Sequence, residues 1–331
     1  MIKNMRLRKI NPEQDLEKTL GIWNAVSAHG GFYKPFDKAA FYHRLFENPV
    51  YTEDCAFIAE ADGRPVGFAC GYMRREDIGD PSKPGYCNTV AVIPEYRGKG
   101  VGEALLHAVE DGFRAAGKKS VRCVYVNSVP WPWYIPHTGG HDHPCAPALP
   151  VNSDEYFFFL HNGYAVNGFM DAFHLPLSEY EMPEKVKAKM KENERNGYKI
   201  GFYREGYHYG LEEFYKSINH PSFEGAIRAN LEKEKPDPFL VVSHNGKVMG
   251  WTGAMYTEPS GRAHFDDITV DPAVRGRGLG KALFCTLCEK SKEFGSKFMT
   301  FYTGLDNPAR YIYLSAGFKI AQTFAMMKKE L

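Results

Sequence analysis

Two glycine-rich turns hold the residues of this sequence that are best suited to bind a charged ligand. The first turn consists of Arg97, Gly98, Lys99, Gly100, Val101 and Gly102. The second has the same glycine spacing and consists of Arg275, Gly276, Arg277, Gly278, Leu279 and Gly280. Glycine leaves the backbone amides accessible and permits positive φ. Accessible amides at a helix N-terminus bind phosphate groups, and arginine side chains add charged hydrogen-bond donors. The sequence therefore predicts two pyrophosphate-binding turns.

Each turn must be positioned by a strand before it and a helix after it. The alternating segments 86–92 and 264–270 each end shortly before a proline, and each predicts a strand. After the first turn, Leu105, Val109 and Phe113 recur at the spacing of an apolar helix face. The second turn is likewise followed by an apolar-periodic segment, so the strand–turn–helix unit is predicted twice.

The duplication extends over the whole chain of 331 residues, a length that favours two domains. Both halves predict a strand, two helices, a hairpin, the strand before the turn, a helix, a strand, a short helix and a final strand. We therefore predict an α/β protein with domains at 1–177 and 198–331. The highly charged segment 178–197 predicts a solvated helix that links them.

The composition restricts the possible partners. Hydrophobic residues make up 44% and charged residues 24%, as in ordinary globular proteins. With 41 basic and 40 acidic residues the net charge is +1, so we expect neither a nucleic-acid nor a membrane-surface partner. The sequence has no apolar run of about 18 residues and no signal-peptide pattern at its start, and its seven scattered cysteines suit a reducing compartment. We expect a cytoplasmic protein and make no prediction of oligomeric state.

The segment 129–150 fits no regular period and is predicted to be an ordered loop inserted into the first domain. It contains six prolines, three histidines, two tryptophans, Tyr134 and Cys145. Trp131, Trp133 and Tyr134 could form the apolar wall of a pocket or a platform for a carbohydrate. Other interpretations are a packing lid and a histidine base. The histidine and cysteine spacing matches no standard zinc pattern, so no metal site is expected.

Both halves resemble the GNAT superfamily of acyl-CoA N-acyltransferases. The family's Arg/Gln-x-x-Gly-x-Gly/Ala turn is met in each half, and the closing helix pattern is met in the second half and partly at Gly163 and Tyr164. The residues that carry the resemblance are Arg97, Gly100, Gly102, Arg275, Gly278, Gly280, Asn307, Tyr313, Gly317 and Phe318. A P-loop fits these turns less well because the Gly-Lys-Ser/Thr ending is absent. A dinucleotide fingerprint also fits less well, because its third glycine is needed at a later offset, where the first turn has Glu103.

The resemblance implies two tandem GNAT-like domains, each a mixed, mostly antiparallel twisted sheet flanked by helices. It also implies that acetyl-CoA is the acyl donor. Coenzyme A is then expected to bind at both glycine turns, along the strand ends at Val92 and Val270, and at Asn307.

The resemblance also suggests which half carries out the reaction. His264 and Asp266 lie two residues apart on one strand face, as a candidate base, and Tyr313 is the candidate acid for the leaving thiolate. Their counterparts in the first half are Tyr86, Asn88 and Phe159, which are poor acids and bases at neutral pH. We therefore predict a catalytic second half and a first half that is structural or binds coenzyme A without turnover. There are simpler alternatives. Tyr313 could be a core residue, the charges at the strand end could be solvated, and a chain of water molecules could replace a direct base.

The predicted function is acetyl transfer from acetyl-CoA to a primary amine, with a small molecule as the favoured acceptor because the aromatic insertion suggests an enclosed pocket. The alternatives are a protein or peptide N-acetyltransferase, and an acetyl-CoA-binding sensor or scaffold without transfer activity.

Overall fold

The computed structural model describes residues 4–331 as a mixed α/β chain that forms two compact units. The first unit comprises the chain up to Ala172 together with Gln322–Leu331, and the second comprises Phe173–Ala321. Across the described residues, no helix is both long enough and apolar enough to cross a bilayer. The domain limits drawn from the sequence stay a prediction, and the compact units differ from them by assigning the last ten residues to the first unit.

The first unit is built on a sheet in the order β1-β2-β3-β4-β5-β17, antiparallel except for the parallel pair β4–β5. Its elements are β1 (Met5–Lys9), α1 (Pro12–Gly30), α2 (Lys38–Leu45), β2 (Tyr51–Ala61), β3 (Arg64–Tyr72), β4 (Gly85–Val92), α3 (Val101–Ala115), β5 (Ser120–Cys123), β6 (Trp131–Tyr134), β7 (Asp142–Ala146), β8 (Leu149–Pro150), α4 (Asp154–His161) and β9 (Ala165–Pro176), which continues into the second unit.

The second unit contains an antiparallel sheet in the order β10-β11-β12-β15 and a parallel pair of strands β14 and β16. Its elements are α5 (Glu184–Arg195), β10 (Tyr198–Phe202), α6 (Leu211–Ile218), α7 (Pro221–Leu231), β11 (Leu240–His244), β12 (Lys247–Thr252), β13 (Tyr256–Thr257), β14 (Arg262–His264), β15 (Ile268–Val270), α8 (Leu279–Glu293), β16 (Phe298–Gly304), α9 (Arg310–Ser315) and β17 (Lys319–Glu330), whose last part belongs to the first unit. The predicted α/β class with mixed, mostly antiparallel sheets is confirmed.

The helix boundaries follow from local chemistry. The side chain of Asn11 accepts hydrogen bonds from the amides of Glu13 and Gln14, and Pro12 fixes the first turn of α1. Gly31 ends α1 in the left-handed conformation, with φ of 63°. Helix α3 follows the first glycine turn and buries its predicted apolar face against the sheet.

The strand before each glycine turn pairs only briefly with its parallel neighbour. In the first unit, Gly85 pairs with Val121 and Tyr86 with Arg122, whereas β4 continues beside β3 as far as Val92. In the second unit, Ala263 pairs with Met299 in the corresponding register. Beyond these pairs the two parallel strands diverge, so one edge of the central strand keeps backbone groups that a ligand can bind.

The segment predicted as a single strand at 264–270 is interrupted. It forms β14 and β15, separated by residues 265–267. Here the amide of Ala254 donates to Oδ2 of Asp266 at 3.3 Å and the amide of Gly253 donates to the carbonyl of Asp267 at 2.8 Å. A carboxylate that replaces a backbone acceptor breaks the regular ladder, and the alternation of residue types does not predict this.

The insertion at 129–150 is more regular than predicted. Strands β6 and β7 form a two-stranded hairpin, and β8 pairs with the last strand of the chain. Trp131 and Trp133 are buried, and the residues between and after them are half-buried. This alternation was present in the sequence, but the prolines obscured it because they remove ladder donors.

The charged helix predicted at 178–197 has one buried face. It spans Glu184–Arg195, and Val186 and Asn193 are buried within the second unit. Nδ2 of Asn193 donates to the carbonyl of Arg277 at 3.1 Å. Helix α5 therefore packs on the second glycine turn, although its composition predicts a fully solvated helix.

The last strand fills a place in the core of the first unit. Met327 pairs with Cys123, and Phe324 and Met327 are fully buried. The ring of Phe324 lies 5.1 Å from that of Trp133, centroid to centroid. Nζ of Lys329 lies 2.9 Å from both carboxylate oxygens of the buried Glu110. The first unit therefore depends on residues at the far end of the chain.

Phe324→Ala is expected to destabilise the protein by about 3–5 kcal/mol, because it leaves a cavity among buried rings. Ile320→Ala removes an apolar side chain that is 42% exposed on the same strand, and should cost about 0.5 kcal/mol. Urea unfolding followed by tryptophan fluorescence measures both changes. Equal midpoints for the two variants would contradict a structural role for the last strand in the first unit.

Candidate functional site

A cavity of about 920 Å³ lies in the first unit and begins at the first glycine turn. Its walls are the last turns of α1, the free edge of β4, the first turn of α4, Trp131 of the insertion and Gln322 of the last strand. The cavity therefore joins a phosphate-binding turn, an open strand edge and a group of aromatic and acidic side chains.

The glycine turn at one end of the cavity fits a pyrophosphate. Gly98 and Gly100 have φ of 67° and 85°, and a side chain added at either would meet open space. Among the described residues, the amides of 98–103 make no hydrogen bond of good geometry to a backbone or side-chain acceptor, and the first bond at the start of α3 runs from the amide of Ala104 to the carbonyl of Gly100. Nε of Arg97 donates to the carbonyl of Val92 at 3.1 Å, which holds the arginine beside the turn. Free amides and a guanidinium suit an anionic ligand.

The free edge of β4 connects the turn with the interior of the cavity. Residues 88–92 all line it. Asn88 holds the insertion in place. Its Nδ2 donates to the backbone carbonyl of Val129 at 2.7 Å, and its own backbone carbonyl accepts from Nε1 of Trp131 at 3.1 Å. The insertion is thereby anchored to β4, and the backbone of 89–92 faces the space where an extended ligand can lie.

A carboxyl group and two tyrosines lie at the other end of the cavity. The hydroxyl of Tyr33 donates to Oε1 of Glu155 at 3.2 Å. Burial raises the pKa of Glu155 above its ordinary value, while hydrogen bonds from its own amide and from Tyr33 oppose the shift. Burial also raises the pKa of Tyr33 and of Tyr125, so both hydroxyls keep their protons. Glu155 therefore accepts a proton more readily than an ordinary glutamate, which favours it as a general base.

An aromatic wall stands beside this carboxyl group. The rings of Trp23 and Trp131 stack at 4.0 Å with an interplanar angle of 24°, and Tyr33 lies 5.7 Å from Trp23. Ser27, one turn further along α1, is 4% exposed, and its Oγ has no hydrogen-bond partner among the described residues. A buried hydroxyl without a partner is costly, so a ligand that supplies one is stabilised here.

The second glycine turn has the same backbone geometry but a different environment. Gly276 and Gly278 have φ of 79° and 76°. A Cβ added at Gly278 would lie 3.1 Å from Cγ of Lys189 on α5, whereas Gly100 has no such neighbour. Helix α5 also donates a hydrogen bond to the carbonyl of Arg277, so it contacts the second turn from one side, while residues 275–278 stay exposed as residues 97–100 do in the first turn.

The predicted base residues of the second unit form a compact ionic cluster. Nε2 of His264 lies 3.1 Å from Oδ1 of Asp266, and its Nδ1 lies 3.5 Å from Oε1 of Glu258. Burial opposes protonation, but the hydrogen bonds to Asp266 and Glu258 raise the pKa of His264. Burial, followed by the charge of Asp266, raises the pKa of Asp267 to about 6. The raised pKa increases the fraction of His264 that carries a proton at a given pH, and a protonated imidazole cannot accept another proton as a base.

The predicted acid, Tyr313, packs among aromatic rings. It is 6% exposed, and its ring centroid lies 4.4 Å from that of Phe301 and 4.9 Å from that of Phe284. Burial, followed by the charge of Asp267, raises its pKa to about 12. Among the described residues no hydrogen bond joins its hydroxyl to His264 or Asp266. The catalytic roles of these three residues stay predictions.

The predicted roles of Val270 and Asn307 in binding coenzyme A stay predictions. Val270 ends β15 and has its methyl groups 3.9 Å from a Cβ added at Gly280. Oδ1 of Asn307 accepts from the amide of Ala309 at 2.9 Å, so this side chain forms a local turn before α9. Within residues 4–331, no group of three or more His, Cys, Asp or Glu side chains is arranged to hold a metal ion.

Several cavity residues were absent from the sequence-based prediction, namely Trp23, Ser27, Tyr33, Tyr125 and Glu155. The only local signal for Glu155 was its place two residues after the N-cap Ser153. The other four come from α1, the connection after it and the end of β5, and no spacing in the sequence brings these segments together.

Two strand–turn–helix units, each with a central strand that diverges from its parallel neighbour, define a duplicated α/β class of protein. Residues 24–130 and 201–318 each match the family model described as the acetyltransferase (GNAT) family. The chain belongs to this family, and the predicted tandem arrangement is confirmed.

Similar proteins support the same assignment. A Bacillus subtilis (strain 168) protein named for N-acetylation of an alanine of ribosomal protein bS18 is 29% identical over 107 residues, which are 32% of this chain and 57% of that protein. A glucosamine 6-phosphate N-acetyltransferase of Trypanosoma brucei brucei is 43% identical over 56 residues, 15% of this chain and 37% of that enzyme. The match to these two curated relatives thus spans only about a third to just over half of their length.

A solved structure supports the tandem fold. The tandem GNAT protein from the clavulanic acid biosynthesis pathway superposes with a TM-score of 0.60 at 16% identity, over 99% of this chain and 98% of that chain. At this identity the similarity concerns the fold alone.

Proposed function

We propose that this protein transfers an acetyl group from acetyl-CoA to the primary amine of a small molecule, and that the cavity of the first unit is the site of transfer. The observation that carries the proposal is the continuity of this cavity, which runs from the free amides of the first glycine turn along β4 to Glu155. The second unit retains the turn, but α5 packs on it.

The cavity residues divide into three roles. Arg97 and the amides of 98–103 hold the pyrophosphate of coenzyme A, and the free edge of β4 holds its pantetheine arm, which presents a thioester as the acyl donor. Glu155 accepts a proton from the acceptor ammonium, because only the neutral amine is a nucleophile. Tyr33 orients Glu155. Tyr125, whose pKa burial raises, keeps its proton and can stabilise the departing thiolate by a hydrogen bond, while the thiolate takes its proton from solvent.

The enclosed aromatic end of the cavity favours a small molecule over a protein N-terminus. Trp23 and Trp131 are both less than 5% exposed, so an acceptor in contact with them must enter the cavity. The names of the relatives include both a protein and a sugar phosphate as acceptor, and neither name decides the acceptor of this chain.

Thiol release measured with acetyl-CoA and a panel of small amines tests the proposed activity. Release that requires both an amine and acetyl-CoA is expected. Tight binding of coenzyme A without release for any amine would instead favour a sensor or scaffold.

Tyr313→Phe separates this proposal from the sequence-based one. If the first cavity is the working site, the variant should retain its kcat, because Tyr313 lies outside that cavity and a phenyl ring fills the same space. If Tyr313 is the acid of the second unit, kcat should fall sharply with little change in acetyl-CoA binding. Steady-state kinetics of the wild type and the variant at one pH decide between the two.

A further inference from the structure

We infer that the acceptor is a small cationic amine that carries no phosphate or carboxylate group. This inference rests on the proposed function, because it concerns the acceptor end of the same cavity. Asp154 and Glu155 line the acceptor end of the cavity. Among the described lining residues Arg97 is the only lysine or arginine, and it lies at the glycine turn together with Glu103, while His29 is the one lining histidine. An anionic group on the acceptor would meet these carboxylates without a cationic partner of its own.

The helix ends at the cavity support the same charge preference. The last turns of α1, including Ser27 and Gly30, line the cavity, and the carbonyl end of a helix favours cations. The N-terminus of α4 has the opposite polarity, but Asp154 and Glu155 already occupy its first turn. Apart from the imidazole of His29, the described residues at the acceptor end therefore offer a phosphate no cationic side chain.

The aromatic wall and Ser27 define the body of the acceptor. Trp23 and Trp131 are buried and stack on each other, so the half-buried ring of Tyr33 is the aromatic surface beside them that can contact an apolar or flat carbon skeleton and attract its ammonium group. Oγ of Ser27, buried and without a partner among the described residues, can bond to a hydroxyl or another polar group of the acceptor. An amine with a compact apolar face and one polar, uncharged substituent satisfies both.

Matched pairs of amines that differ by one anionic group test the inference in the wild-type protein. Suitable pairs are tyramine with tyrosine, histamine with histidine, and glucosamine with glucosamine 6-phosphate. In each pair, kcat/KM of the member without the anionic group is expected to be at least about tenfold higher, the ratio that corresponds to one decade of transition-state affinity. Equal or higher kcat/KM for the anionic members would overturn the inference.

Gln322→Arg tests the charge argument by adding a cation to the wall. The side chain of Gln322 lines the cavity and donates only to the carbonyl of Thr323 in the described structure, at 2.8 Å. In this variant the ratio of kcat/KM between the two amines of each pair should fall, because the added cation raises kcat/KM for the anionic amine. Gln14→Arg makes the same change on the exposed first turn of α1 and should leave the ratios unchanged. An unchanged ratio in folded Gln322→Arg protein, checked by its thermal midpoint, would count against the inference.

Binding separates failure of the inference from failure of the proposed function. Trp23 and Trp131 lie in the cavity, so quenching of tryptophan fluorescence reports amine binding without turnover. Stronger binding of tyramine than of tyrosine, with no thiol release for any amine, would retain the charge preference and reject acetyl transfer. Turnover together with equal binding of tyramine and tyrosine would retain acetyl transfer and reject the charge preference.

Discussion

Replacing Gly100 with aspartate is expected to raise the KM for acetyl-CoA by at least about tenfold, equivalent to about 1.4 kcal/mol of binding free energy. Gly100 has φ of 85° and open space around its Cα, so a new side chain would enter the volume beside the free amides of the turn. Its carboxylate would also repel a pyrophosphate. Aspartate tolerates positive φ better than most residues, so the fold should survive the change.

Gly278→Asp is the matched control, because Gly278 occupies the same position in the second turn with φ of 76°. If the first unit carries the reaction, this variant should keep the wild-type KM for acetyl-CoA in assays of initial rate. Titration calorimetry with coenzyme A then measures how many coenzyme A-binding sites each variant retains. Loss of turnover in Gly278→Asp, with Gly100→Asp unaffected, would assign the reaction to the second unit and support roles for Tyr313, His264 and Asp266.

Local patterns predicted much of the fold because they reflect interactions between residues close in sequence. The cap at Asn11, the glycine turns and the spacing of Leu105, Val109 and Phe113 all act over a few residues, and their elements formed where expected. The interruption at 265–267 and the buried face of α5 could not be predicted in this way. Both depend on partners distant in the chain, such as Ala254 for Asp266 and the carbonyl of Arg277 for Asn193.

The candidate site was predicted less completely than the fold, for the same physical reason. The glycine turns are local, and they were found. The pair Tyr33 and Glu155 joins residues 122 positions apart, and the stack of Trp23 on Trp131 joins α1 to the insertion. The sequence also predicted that the second unit is the catalytic one, because only that half has a candidate base on the strand before the turn and a tyrosine on the last helix. The first unit instead presents a carboxyl group from the first turn of that helix.

Glu155→Gln is expected to lower kcat by about 10²–10⁴-fold at pH 7, the range that a positioned general base contributes. The amide keeps the shape of the side chain and can still accept the hydrogen bond from Tyr33, but it cannot take a proton from the acceptor. Glu13→Gln makes the same change on the exposed first turn of α1 and should leave kcat unchanged. Turnover within the range of the control would exclude Glu155 as the base.

The pH profile and the stability of Glu155→Gln distinguish a lost base from a damaged fold. Because burial raises the pKa of Glu155, wild-type kcat/KM should rise with pH through that pKa, as the carboxyl group loses its proton and becomes able to accept one. The variant should lose this limb of the profile. A raised pKa also means that the charged carboxylate costs folding free energy at pH values above it. The neutral amide removes that cost, so the thermal midpoint at pH 7 should stay the same or rise while turnover falls.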